Sequence, residues 1–274
     1  RACRTRRRVQ RRAELGSSRH EGVIAVKKQK SMSNEIVKQQ PQFPALTPEN
    51  SIAIASNITE MGLSIFDLPR MKVPSGGVTA WEIQTLSGVE YAKERDVVIL
   101  ASRGGQRAWY RSAVVDGAGA PPDCSSQDGI TGTGVNTLEG GKPGKHECAS
   151  CPWDQWKSKR GGAESNAKDC KEFAQVLVAT VDGSMPTLVT VPLTSLKALK
   201  AYAIKLMDGG KRHYTVVTRL SLEKVSGSGP DYSRIKFDFV RDLETSDSAA
   251  INDLAAALKA ALFKVSAAQS AQHQ

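Results

Sequence analysis

The sequence predicts a strand-rich α+β domain interrupted by a cysteine-bearing insertion. Short β-branched and aromatic runs recur on both sides of a long Gly-rich stretch, and apolar residues at helical spacing occur in only three places. Four of the five cysteines fall within the Gly-rich stretch.

The first helical segment follows a polar, proline-containing lead-in over 32–46. Thr47 can cap it, Pro48 suits its first position, Ile54, Ala55, Ile58 and Met61 share one face, and Gly62 can end it. Strands are expected over Val78–Ile83, Arg95–Ala101 and Arg107–Arg111. The last two would be joined by a hairpin through Ser102-Arg103-Gly104-Gly105-Gln106. Beyond the insertion, strands at Phe173–Ala179 and Thr187–Val191 precede a helix starting at Ser195 and stopped by Gly209-Gly210. Two more strands, Tyr214–Glu223 and Tyr232–Val240, lead to an amphipathic helix over 246–265. Its Ile251, Leu254, Leu258, Ala261, Leu262 and Val265 form a stripe read as core, and a loose tail fills 266–274.

Strands and helices do not alternate regularly, which argues against parallel βαβ units. A small oligonucleotide-binding-like barrel with one helix between two strands fits the inventory. The expected organisation is therefore a single domain over 47–245 with an insertion at 121–171 and flanking helices.

The formal net charge of +10 invites a nucleic-acid partner, but its distribution weakens that inference. Residues 1–31 hold 11 of the 38 Lys and Arg and only 2 of the 28 Asp and Glu, leaving 27 basic against 26 acidic residues in the body. The leader has no periodicity and precedes an ordinary-looking start at Met32. It reads as disordered or non-native, the alternative being a basic arm held to phosphates. No stretch approaches the roughly 18 apolar residues of a membrane span. The expectation is a soluble protein of the cytoplasm, with no membrane partner.

Cys124, Cys148, Cys151 and Cys170 form the pattern C-x23-C-x2-C-x18-C. A C-x2-C turn presents two thiolates to one ion, and two distant cysteines complete a tetrahedron, so the pattern predicts a structural Zn2+. Zinc would also order a Gly-rich segment that cannot build a core of its own. Disulfides or unrelated thiols are the alternatives. Four thiolates leave no open position for an activated water, so no hydrolytic role is expected. His146 is a substitute ligand at most, and Gly129, Gly132 and Gly134 match no phosphate-loop pattern and read as turns.

Between Gly141 and Lys171 seven basic residues face four acidic ones, interleaved with Trp153 and Trp156. Cations that follow a phosphate backbone and indoles that stack on unpaired bases suit single-stranded nucleic acid. Arg103, Arg107, Trp109 and Arg111 form a second candidate surface, since alternate residues of a strand share a face. The predicted contact set is Arg103, Arg107, Trp109, Arg111, Trp156, Lys157, Lys159 and Arg160, with Trp81 as a further stacking candidate. Catalysis is not expected. His213 and His146 lack a nucleophile signature, and Asp231, Asp238, Asp242 and Glu244 offer only a weak case for a magnesium nuclease.

The segments LPRMKVPSGGVTAWEI (68–83), PPDCSSQDGITGTG (121–134), CASCPWDQWKS (148–158), AKDCK (167–171) and VPLTSLKALKAY (191–202) carry a resemblance. In that order they resemble a family of mostly uncharacterised bacteriophage and mobile-element proteins. The design also looks like that of phage single-stranded DNA-binding proteins and of the metal-containing barrel of replication protein A. The resemblance implies a bacterial host cytoplasm and a role in DNA replication or recombination, with single-stranded DNA and replication or recombination proteins as partners; the chain ends AAQSAQHQ, a departure from the acidic tail through which many such binders recruit those proteins. The rival reading is a zinc-stabilised protein-interaction or regulatory module.

Overall fold

The computed structural model describes residues 48–63, 67–85, 88–112, 121–160, 166–180, 185–227 and 230–272; the leader 1–31 and the lead-in 32–46 lie outside them. Among the described residues are three α-helices and eleven strands, the strands joined in one open mixed sheet. Helix α1 (Pro48–Glu60) opens on a proline whose missing N–H is an orphan there in any case. It closes at Gly62, φ +63°, where the Leu63 and Gly62 amides donate to the Ile58 and Thr59 carbonyls.

Strands β1 (Arg70–Lys72), β2 (Trp81–Thr85) and β3 (Gly88–Ala92) form one end of the sheet. β4 (Glu94–Trp109) replaces the two strands and hairpin expected over 95–111. Instead of turning at Gly104-Gly105, the chain absorbs both glycines as irregularities in the β4–β8 ladder, with Gly105 at φ +74°. A bulge of this kind bends a strand without ending it.

The insertion is likewise more regular than expected. It forms a meander of β5 (Cys124–Ser126), β6 (Thr131–Gly134) and β7 (Gly144–Glu147), followed by a single 3-10 turn at Pro152–Asp154. Then come β8 (Lys171–Thr180), β9 (Thr187–Pro192), α2 (Leu193–Asp208), β10 (Val216–Val225), β11 (Tyr232–Asp242) and α3 (Thr245–Gln272). The strand order is β3-β2-β1-β9-β8-β4-β5-β6-β7, with β10 joining β4 and β11 joining β10. β1 and β9 run parallel; every other ladder is antiparallel.

Where a small oligonucleotide-binding-like barrel is expected, the described strands form one open mixed sheet. β4 pairs with β8 between Val97 and Ala108 and also takes β10 over Glu94–Val97 and β5 over Arg107–Trp109. The Trp81 indole N–H donates to the Leu220 carbonyl at 3.3 Å, Ser233 Oγ donates to the Val78 carbonyl, and Ser75 bridges Tyr232.

Each face of the central strands is covered. Alternate residues Val98, Leu100, Leu177, Ala179 and Leu188 pack under α1 and α3, whereas Val97, Ile99, Val176, Val178 and Val189 pack under α2. Burial on both faces explains why these strands read as continuous apolar runs. The stripe expected to be core is core at Ile251, Leu254 and Leu258; the side chains of Ala261, Leu262 and Val265 lie outside the described set. α3 continues to Gln272, past the expected end at 265, because its Ala- and Gln-rich tail is made of good helix formers. Ser195 does not cap α2, which starts at Leu193. Its buried Oγ accepts the Ile235 amide at 3.0 Å and ties the helix to β11. Among the described residues, no helix is long and apolar enough to cross a membrane.

Leu254 is fully buried between the sheet and α1. Leu254→Ala should cost about 2–5 kcal/mol in urea unfolding through the cavity it leaves. A loss below about 1 kcal/mol would show that α3 is not part of this core.

Candidate metal centre

Four separate points of the chain bring the predicted thiols together. Cys124 opens β5 opposite Trp109 of β4, Cys148 follows β7, Cys151 precedes the 3-10 turn, and Cys170 immediately precedes β8. Backbone bonds fix these positions: the Cys151 amide donates to the Cys148 carbonyl, the Cys148 amide to Ile130, and the Cys170 amide to Trp153. The glycines of the loop are there for close approach. A Cβ on Gly132 would stand 3.1 Å from Cys124 Sγ, and one on Gly134, at φ +129°, would stand 2.1 Å from the Asp123 carbonyl oxygen. The reading of these glycines as turns, not a phosphate loop, suits this geometry.

All four thiols are free and line a single cavity of about 20 Å³, room for one water-sized occupant. Burial, followed by the neighbouring Cys151 and Cys148, pushes the Cys124 thiol up to about 11. Burial, with Asp154 and Cys151 adding to it, pushes Cys170 up to about 12. Thiols raised in this way stay neutral unless a cation joins them. Among the described residues, no three or more His, Cys, Asp and Glu donors are arranged to hold a metal ion. His146 also lines the cavity, but its Nε2–H is committed to the Gly134 carbonyl at 2.7 Å within the β6–β7 hairpin.

Around the thiols lies a shell of paired charge. Arg107 donates to Asp154 at 2.8 Å and to Glu172 at 3.3 Å, and Lys168 reaches the same Asp154 oxygen at 3.0 Å. Asp154 is only 6% exposed, so both cations are needed against its desolvation. Trp109 and Trp153 stack with centroids 5.1 Å apart, their N–H groups donating to Asp169 and to the Asn136 carbonyl. The Arg160 guanidinium lies 5.2 and 5.3 Å from the two ring centroids, donates to Asp169, and reaches the Tyr110 and Arg111 carbonyls. Arg111 grips Asp123 through its backbone amide and its guanidinium.

These contacts correct much of the predicted nucleic-acid surface. Trp109 is 1% exposed and Trp81 is fully buried, so neither can stack on a base. Arg107, Arg111 and Arg160 hold the knuckle together from within, and Arg103 donates to Gln127 at 2.8 Å. The predicted contact set is therefore not presented as one outward surface by these residues. What remains outward is Trp156, 65% exposed, with exposed Lys157 and Lys159 beside it in sequence. Lys168, absent from the predicted set, places its ammonium 5.3 Å from the Trp156 centroid. Lys157 adopts φ +70°, uncommon for a residue with a side chain, at the turn that projects this tip.

The carboxylates considered for a nuclease include three with lysine neighbours. Asp231 pairs with Lys224, Asp242 with Lys211, and Asp238 stands 3.8 Å from Lys236. His213 is pushed below its usual range by burial and bonds to the Leu100 backbone. Compared with known protein families, curated proteins and solved structures, the chain matches none.

Breaking the Arg107–Asp154 pair from one side should be costly. Arg107→Met is expected to lose about 3 kcal/mol, because Asp154 stays buried with one cation fewer. Combining it with Asp154→Leu should lose less than the sum of the two single changes in a denaturation cycle. Additive losses would show that the pair is not energetically coupled.

Proposed function

We propose that the protein is a single-stranded DNA-binding protein of the bacteriophage or mobile-element kind, folded around a structural Zn2+ and acting in replication or recombination. The observation that carries the binding role is the tip of the cysteine knuckle: an exposed indole held over a lysine, with two further exposed lysines adjacent in sequence. Trp156 would stack on an unpaired base while Lys157 and Lys159 follow phosphates. Arg103, Arg107, Trp109, Arg111 and Arg160 have no direct contact in this reading. They hold the tip in place.

The donor set and the cavity support zinc. Cys124, Cys148, Cys151 and Cys170 would hold the ion as thiolates, drawn in by its charge, and their protons would leave on binding. Four sulfur ligands make such a centre structural.

Fluorescence anisotropy with labelled oligonucleotides at about 50 mM salt tests the reading. Single strands should bind in preference to duplex, and Trp156→Ala should weaken binding about tenfold, within the 1–3 kcal/mol range of a stacked base. No binding, equal affinity for duplex, or an unchanged Trp156→Ala variant would overturn it. Independently, elemental analysis should find one zinc per chain, and chelation should lower the unfolding temperature. A protein purified without zinc that is no less stable than the zinc-loaded form would exclude the metal.

A further inference from the structure

We propose that the outer face of α2 is a docking surface for an acidic segment of a partner protein, one carrying apolar side chains among its carboxylates. The inner face of this helix is committed to the core through Leu196, Tyr202 and Leu206, and Tyr202 Oη is hydrogen-bonded to Thr218 Oγ1 at 2.7 Å. On the opposite side Lys197, Lys200, Ile204 and Met207 follow one another at helical intervals of three and four, so they form one stripe.

The stripe is unusual in both of its components. Ile204 is 62% and Met207 66% exposed, where a helix packed on a sheet ordinarily turns polar groups outward. Lys197, Lys200 and Lys205 are exposed and, among the described residues, make no ion pair; Asp208 is the only carboxylate of the helix. Past the helix end, Lys211, its ammonium paired with Asp242, lies 5.3 Å from the Phe239 ring, and that ring is itself 46% exposed. Cations thus border a small apolar centre along a helix of 16 residues, roughly 24 Å at 1.5 Å per residue.

Charge complementarity identifies the occupant. A phosphate backbone would satisfy the lysines but leave Ile204 and Met207 without partners. A lipid surface needs a continuous apolar face, and the apolar face of α2 is already buried in the core. An acidic segment bearing apolar side chains matches both components, with its carboxylates on the lysines and its apolar groups on Ile204 and Met207.

Fluorescence polarisation of the full chain with a labelled synthetic peptide of Asp and Glu bearing two Leu tests this. The peptide should bind, and Lys197→Glu with Lys200→Glu should weaken it at least about tenfold. Ile204→Ser with Met207→Ser should weaken it several-fold at unchanged charge, and Trp156→Ala should leave it unaffected. The last result separates this surface from the proposed DNA contact, so either can fail alone. No binding, equal binding of the same peptide without its leucines, or loss of oligonucleotide or anionic-vesicle binding in the Lys197→Glu/Lys200→Glu protein without loss of peptide binding would overturn the proposal. All four positions are exposed, and circular dichroism should show each variant folded.

Discussion

The pairing of β4 with β8 is the constraint on which both the core and the cysteine knuckle depend. β4 pairs with β10 over Glu94–Val97 and takes up β8 from Val97 on, where its Val97–Ala101 run is buried on both faces beneath helices. Over its second half the same strand keeps β8 on one edge and exchanges β10 for β5. The irregularity at Gly104-Gly105 separates these halves without breaking the strand. A Cβ on Gly129 would stand 2.4 Å from the Gly105 carbonyl, so the bulge and the meander fit only because both positions are glycine. One strand thus carries Arg107 and Trp109 directly out of the core and into the wall of the thiol cavity.

The knuckle is stabilised by means other than a large apolar core. Its interior consists of two stacked indoles, a guanidinium at their side, and carboxylates from three points of the insertion, Asp123, Asp154 and Asp169. Such a network is sensitive to the loss of any member, because a buried charge left alone carries its full desolvation penalty. Neutral thiols contribute little attraction to one another. Charge pairs and ring stacking bring them to one cavity, and a cation would supply the remaining force.

The body's elements were largely legible because their signals are local. Pro48 and Gly62 bound α1, Gly209-Gly210 ends α2, and the 251–254–258 stripe is core. Two errors share one cause. Gly104-Gly105 read as a turn, and the alternation Arg107-Trp109-Arg111 read as an open face, because local sequence does not reveal what folds back against a strand. The strand ends at Trp109, short of Arg111, and residues of the insertion fold against Arg107 and Trp109. A signal was present in the insertion's own acids, since Asp123, Asp154 and Asp169 each meet one of the arginines assigned to phosphate.

The cations divide by chemistry in a way that the net charge conceals. In the knuckle Lys168 shares the inward positions with arginines, and the planar forks of the arginines engage carboxylates and carbonyls in fixed directions and lie against indole rings. Lys157 and Lys159 at the tip, and Lys197, Lys200 and Lys205 on α2, are outward, where a compact and strongly hydrated ammonium loses least by remaining in water. In the knuckle, then, the arginines are engaged internally while Lys157 and Lys159 are presented outward. It is this division, and not the total of +10, that directs attention to the Trp156 tip and the α2 stripe, because each sets exposed lysine beside an exposed apolar or aromatic side chain. Scattered exposed apolar residues are ordinary on a protein surface, but set beside exposed lysines they give each proposed patch a definite complement: an aromatic base with phosphate at one, an apolar side chain with carboxylate at the other.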